Sequence, residues 1–435
     1  MPPRKKVAAL FRNTVAASIT AALFGLMLSP APSAAGDLKA KPQQAEPLRA
    51  CPEYGPGFIR LPAMDVCLKT TIDLVAEVKA DMAREDIYIE TERLLGTPNA
   101  RYEKVKFDRN DDRTISRVDP RLAFMTVTKV GESPLVSYFS MRFSPNLTAA
   151  SLRDGSHYDH SGTIDQAWIK YSGVTAGRHS SYFDFTPGYT YVGGYASQRT
   201  LNLFAYTHQF QNTGSISVSV EDANERRVAD GFWAAYAGQR LPDVVAQARY
   251  TPKWGIIHAS AALHQITDAL GGRTAYGYAL SSGVEYRQKW SELFGAGSSD
   301  MYGRFLLSGT YAKGALDYLG IPRFGTDYVT GSDGRIDKTT GYSAILSYEH
   351  VWRPNFKTTL AYSVFSLSST LPDFEFKARG SLIQAGAEYM PVPGLMVGTE
   401  IDYYRDSVRS GLFGATGVRD TVGNFTGFAY VRRRI

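Results

Sequence analysis

Leu395-Met396-Val397-Gly398-Thr399-Glu400-Ile401-Asp402-Tyr403-Tyr404 divides into two sets when its residues are taken alternately. Leu395, Val397, Thr399, Ile401 and Tyr403 fall on one side, and Met396, Gly398, Glu400 and Asp402 on the other. Successive side chains of a β-strand leave opposite faces, so this is a strand with one apolar and one polar face. The division recurs elsewhere. Ile216, Val218 and Val220 oppose Ser215, Ser217, Ser219 and Glu221, and Val244, Ala246, Ala248 and Tyr250 oppose Gln247 and Arg249. Ile383, Ala385, Ala387 and Tyr389 oppose Gln384, Gly386 and Glu388. About 16 to 18 candidate strands of this kind fit between residues 68 and 435.

Composition excludes two rival classes. The chain has 435 residues, 44% hydrophobic and 21% charged, and only residues 7–28 approach the apolar length of a spanning helix. A disordered chain is poor in aromatics, whereas Phe, Trp and Tyr make up 12% here. A soluble sandwich would also alternate, and three features point away from it. The strands approach the roughly 9 to 11 residues that a tilted membrane strand needs. Tyr250, Trp254, Tyr286, Trp290, Tyr348, Trp352, Tyr389, Tyr403 and Tyr404 collect near strand ends, as in interfacial girdles. Tight connections at 251–255, 352–355 and 390–394 alternate with long polar ones at 222–243, 314–339 and 365–379. Lipid offers backbone N–H and C=O groups no partner, so a spanning sheet must close on itself. The expected fold is all-β: a transmembrane antiparallel β-barrel over residues 68–435, wide enough to enclose water.

Arg4, Lys5, Lys6 and Arg12 precede an apolar run at 15–28, and Ser33-Ala34-Ala35 offers a cleavage site before Gly36. Residues 1–35 therefore read as a secretory signal. Its removal lowers the formal net charge from +6 by 4 to +2, and no basic block with interleaved aromatics remains. Nucleic acid is not an expected partner. Residues 36–67 read as a periplasmic linker with Cys51 and Cys67, the only cysteines. Export to an oxidising compartment makes a disulfide the expected state of this pair. Two thiols without a nearby His or second Cys pair make a poor zinc site, and a redox pair more often has the C-x-x-C spacing.

The stretch Ala50-Cys51-Pro52-Glu53-Tyr54-Gly55-Pro56-Gly57-Phe58, followed by Cys67-Leu68-Lys69, resembles the N-terminal motif of the porins typical of rhizobia and related alphaproteobacteria. The resemblance continues in Gln166-Ala167-Trp168-Ile169-Lys170, in Gly173-Val174-Thr175-Ala176-Gly177-Arg178 and in Ser181-Tyr182-Phe183-Asp184-Phe185. It extends through Leu241-Pro242-Asp243-Val244-Val245-Ala246, Trp254-Gly255 and Ala262-Leu263-His264-Gln265. Residues 80–145 match least, and the chain ends in Ile435 rather than the terminal Phe of many outer-membrane barrels. The resemblance implies a barrel of 16 strands that assembles as a homotrimer and passes small hydrophilic solutes and ions across the bacterial outer membrane. Outer-membrane lipid, lipopolysaccharide and the barrel assembly machinery are the further partners it implies. It also implies a third long loop folded into the pore, matched here by residues 179–195. Asp184 would face a basic wall in that constriction, with Arg178, Lys170, Arg249, Arg287 and Arg432 as candidates for the positive side.

Other constellations are weaker. Residues 108–119 place oxygen-bearing side chains at several calcium-loop positions, but Arg113 stands where the turn needs Gly, and Asp119 where a bidentate Glu is usual. A solvated loop is the better reading. His157-Tyr158-Asp159-His160 reads as an exposed loop tip, because a closed metal site wants four ligands. No G-x-S-x-G elbow accompanies His208 or His264, so neither catalysis nor a cofactor is expected. Two alternatives to a general diffusion channel stay open: a solute-selective channel, and a plugged or structural barrel.

Overall fold

The computed structural model describes residues 49–435 apart from 63, 91–101, 106–112, 147–158, 212, 230–233, 270–271, 291–300, 322–324, 332–333, 372–373 and 413–415. The signal expected at 1–35 lies outside these residues. Sixteen antiparallel strands form the barrel. They are β1 (Val66–Glu90), β2 (Arg113–Val130), β3 (Ser133–Asn146), β4 (Asp159–Tyr171), β5 (Val174–Ser180), β6 (Thr200–Phe210), β7 (Gly214–Glu221) and β8 (Asp243–Tyr250). The second half comprises β9 (Gly255–Thr267), β10 (Thr274–Lys289), β11 (Tyr302–Lys313), β12 (Thr340–Arg353), β13 (Phe356–Leu371), β14 (Phe374–Val392), β15 (Leu395–Leu412) and β16 (Thr416–Arg434). Pairing of β16 with β1, from Arg434↔Asp73 to Val418↔Ile89, closes the sheet and leaves it no open edge.

The barrel is inside out relative to a soluble core. Val397 and Ile401 are exposed on its outer face, while Glu400 and Asp402, one residue away, are buried within. Ile216, Val218, Val220, Leu263, Leu280, Leu307, Leu346 and Leu360 continue the exposed apolar band around the wall. So much contiguous apolar surface suits lipid rather than water. Tyr250, Trp254, Tyr286, Trp352 and Tyr389 are exposed near strand ends, as expected of girdle residues. Tyr404 differs: it faces inward and accepts from Asn424 Nδ2 (2.7 Å).

Short connections gather at one end, as at 131–132, 172–173, 354–355 and 393–394. Ser172 (φ 47°) and Gly173 (φ 85°) both have positive φ, the backbone of a two-residue turn matched to strand twist. A Cβ on Gly173 would lie 2.7 Å from the carbonyl oxygen of Thr207, so only Gly fits. At the other end the chain makes longer excursions at 181–199, 222–242 and 314–339. The long loop expected at 365–379 is not one. β13 and β14 pair without interruption from Phe365↔Gly380 to Leu371↔Phe374. Phe365 and Leu367 face inward beneath Leu316 and Leu319, so apolar side chains there sit on the lumen side and reverse the pattern that marks spanning strands. Residues 113–119 of the solvated loop expected at 108–119 are likewise strand, while 108–112 lie outside the described residues.

The N-terminal segment is fastened to the seam. Beyond the end of β16, the N–H of Ile435 donates to Ile72 O and the N–H of Ile72 to Ile435 O, both at 2.9 Å. Further along the same edge, Ile59 and Arg60 pair with Leu68 and Cys67, and Arg49 and Ala50 pair with Arg60 and Ile59. The Cys51–Cys67 disulfide locks this hairpin to β1. Cys51, Phe58 and Cys67 are buried against Val127, with Tyr54, Met125 and Val136 around them.

Candidate pore constriction

Residues 181–199 leave β5 and turn into the barrel because their base is pinched shut. The N–H of Ser181 donates to Arg199 O (2.8 Å), and Ser181 Oγ donates to Glu221 Oε2 (2.7 Å). The loop then runs along the inner wall and is bonded to it strand by strand. Phe183 O accepts from Ser260 Oγ of β9 (2.8 Å), and Tyr189 OH donates to Glu285 Oε2 of β10 (3.0 Å). The N–H of Tyr189 donates to Ser347 Oγ of β12 (3.1 Å), and that of Tyr195 to Ser363 Oγ of β13 (3.2 Å). Thr190 Oγ1 donates to Gln384 Oε1 of β14 (3.2 Å). The apex is held most firmly: Glu400 of β15 accepts the N–H of Tyr191 (2.5 Å) and of Val192 (2.9 Å). Tyr191 stacks on Tyr430 with ring centres 3.9 Å apart, and its OH reaches Glu77 Oε2 of β1 (2.5 Å). Gly194 permits the close fit, since a Cβ there would meet Ile345 Cδ1 at 2.5 Å. The loop thus leaves β5 and lies inside the barrel along the wall from β9 round to β1.

The wall beyond the loop apex, from β16 through β1 to β4, is lined by paired charges of unequal exposure. Arg117 pairs with Glu77 (2.9 Å), Arg434 with Asp73 (3.0 Å), and Arg121, Arg142 and Arg432 with Asp165, Asp119 and Asp73. In the first pair the Arg117 side chain is 36% exposed and that of Glu77 1%; in the last, Arg432 is 32% exposed and Asp73 8%. Carboxylates lie behind and guanidinium groups in front, so solute in the lumen meets positive charge first. Arg117 and Arg121 were missed in the sequence because they fall where the family resemblance is weakest. The available signal was their alternation with Asp119 along β2.

The sequence-named residues are dispersed. Arg432 stands on the wall beyond the loop apex with its carboxylate partner Asp73. Lys170 is on β4 beside Val136 and Thr175, in the row that carries the disulfide cluster. Arg249 lies 5.8 Å from the Phe185 ring at the base of the loop, and Arg287 pairs with Glu285 (2.7 Å), so both stand on the wall that the loop covers. Arg178 is in register with Asn202, on the phase of the exposed Phe204, and pairs with Glu225 (2.7 Å). That phase faces away from the lumen. Asp184 is turned into the loop base, accepting from Ser197 Oγ (2.5 Å) and the N–H of Arg199 (2.7 Å). Burial pushes its carboxyl above the usual range, against the pull of Arg226 and these hydrogen bonds. Residues 185–198 contain no charged side chain, so the loop apex presents tyrosines and backbone rather than acid.

Comparison with known proteins bears on the family and the fold. Residues 37–422 match the Porin subfamily. The chain is similar to Porin Omp2b of Brucella suis biovar 1, 23% identical over 238 residues that cover 52% of this chain and 59% of that protein. Porin Omp2b of Brucella melitensis biotype 1 is 22% identical over 238 residues, with the same shares covered. The match therefore spans about 59% of the length of these relatives. Among solved structures, the outer membrane channel DcaP of Acinetobacter baumannii superposes with a TM-score of 0.59 at 14% identity, covering 83% of this chain and 97% of that one. At that identity the likeness speaks for the fold. With the match to the family extending over most of its length, the chain belongs to the Porin subfamily, and its barrel is one of the bacterial outer membrane.

Proposed function

We propose that the chain forms a water-filled channel for passive diffusion of small hydrophilic solutes and ions, with a preference for anions. The observation that carries the reading is the inward fold of residues 181–199 along the lumen wall, pinned at Glu400, beside a stretch of wall that exposes Arg117, Arg121, Arg142, Arg432 and Arg434. Charged groups that line a narrow passage set ion preference through the potential they create there. The exposed guanidinium groups outnumber the acids behind them, five to four, and the loop apex contributes no opposing charge. In this reading the protein works as a homotrimer in contact with outer-membrane lipid and lipopolysaccharide, inserted by the barrel assembly machinery. A second reading, a channel selective for anionic solutes with an apolar part, is favoured by the stacked Tyr191 and Tyr430 near this wall.

Liposome swelling tests the first reading. Reconstituted protein is expected to admit sugars at rates that fall smoothly with size. Swelling for one class of anionic solute alone would favour the second reading, and none for any solute would leave a plugged or structural barrel.

A further inference from the structure

Three carboxylates from separate pieces of chain converge on one guanidinium. Arg226 lies 3.2 Å from Asp317, 3.6 Å from Asp184 and 3.8 Å from Glu221, and its side chain is fully buried. It ends the 3-10 turn Ala223–Arg226 after β7, which opens with the Asp222 side chain accepting the N–H of Asn224 (3.0 Å). Asp184 belongs to the base of the constriction loop, and Asp317 to the turn Leu316–Leu319 between β11 and β12. Arg226 Nη1 also donates to Ser197 Oγ (2.9 Å), the hydroxyl that bonds Asp184. The guanidinium lies 4.0 Å from the Tyr318 ring, which meets Phe183 of the constriction loop edge-on at 4.6 Å. Contact is as close on the other side, where a Cβ on Gly320 would come within 1.9 Å of Ala196 O.

A buried guanidinium is retained only where partners offset its desolvation, and clustered carboxylates repel unless a cation joins them. Arg199 also bonds Asp317 (2.9 Å), but it is 37% exposed, so Arg226 is the fully buried cation of this cluster among the described residues. We propose that Arg226 is a positioning residue of the pore. By tying the base of the constriction loop to the turns Ala223–Arg226 and Leu316–Leu319, it fixes how far that loop reaches into the lumen. Channel width is then set from the outer loops and not by residues 181–199 alone.

The proposal rests on the channel reading, and its test keeps the two apart. Wild-type openings in a planar bilayer are established first; their absence defeats the channel reading. Arg226→Met is then compared for conductance and for the size of polyethylene glycol that enters, with folding checked by heat-shifted electrophoretic mobility. The expected result is loss of the single steady level, higher mean conductance and entry of larger polymers. Arg226→Lys, which keeps the charge without the fork, falls between. Asp317→Asn alone carries the test if Arg226→Met does not fold, with the same direction expected. Folded variants with wild-type conductance and polymer limit would overturn the proposal.

Discussion

Glu400 accepts two consecutive N–H groups of the constriction loop, and Arg117 presents its charge with Glu77 hidden behind it. These two residues make different predictions. Glu400→Ala leaves the N–H groups of Tyr191 and Val192 without their acceptor, at a cost of about 1 to 3 kcal/mol for each group that stays unpaired. The apex should loosen, and proteolysis within residues 185–198 should quicken while the barrel stays folded; unchanged protection would count against the pin. Arg117→Ser removes a front-facing cation, and its reversal potential in a salt gradient should shift toward cation preference. Arg178→Ser should not move that potential, because Arg178 shares the outward phase of Phe204. An equal shift in both variants would contradict the assignment of faces. Sequence could tell that Arg249 is on the polar face of its strand. It could not tell that residues 181–199 would pass over that part of the wall, since this depends on long-range partners such as Ser347 and Glu400.

At the level of elements, strands facing lipid were legible and strands facing loops were not. β15 alternates against lipid along residues 395–403, and its two faces could be read directly. The upper part of β13 buries Phe365 and Leu367 inward under the turn Leu316–Leu319, which reverses the pattern and disguises strand as loop. The hairpin between Arg49 and Arg60 illustrates a third case. Its cysteines signalled a crosslink, but its pairing with β1 joins only Ile59 and Arg60 to Leu68 and Cys67, too short a run for alternation to mark. With a sequence separation of 16, the disulfide should contribute about 3 kcal/mol by constraining the unfolded chain. Reduction, or Cys51→Ser with Cys67→Ser, should therefore free the hairpin for hydrogen exchange while β2 to β15 keep their protection. Collapse of the whole barrel on reduction would show that the hairpin does more than fasten the seam.

For the molecule as a whole, the apolar band, the closed sheet and the inward-folded loop describe a conduit through a membrane. The protein purified in detergent should sediment at three times the protomer mass, and a monomeric species alone would contradict the homotrimer. In the proposed function this conduit carries water past a wall of exposed arginines. The decisive measurement is conductance of the purified, unheated protein in a planar bilayer, with its reversal potential in a salt gradient. Stepwise openings grouped in threes and a reversal potential on the anion-selective side are expected. Folded, β-rich protein that inserts but never opens would contradict the proposed function.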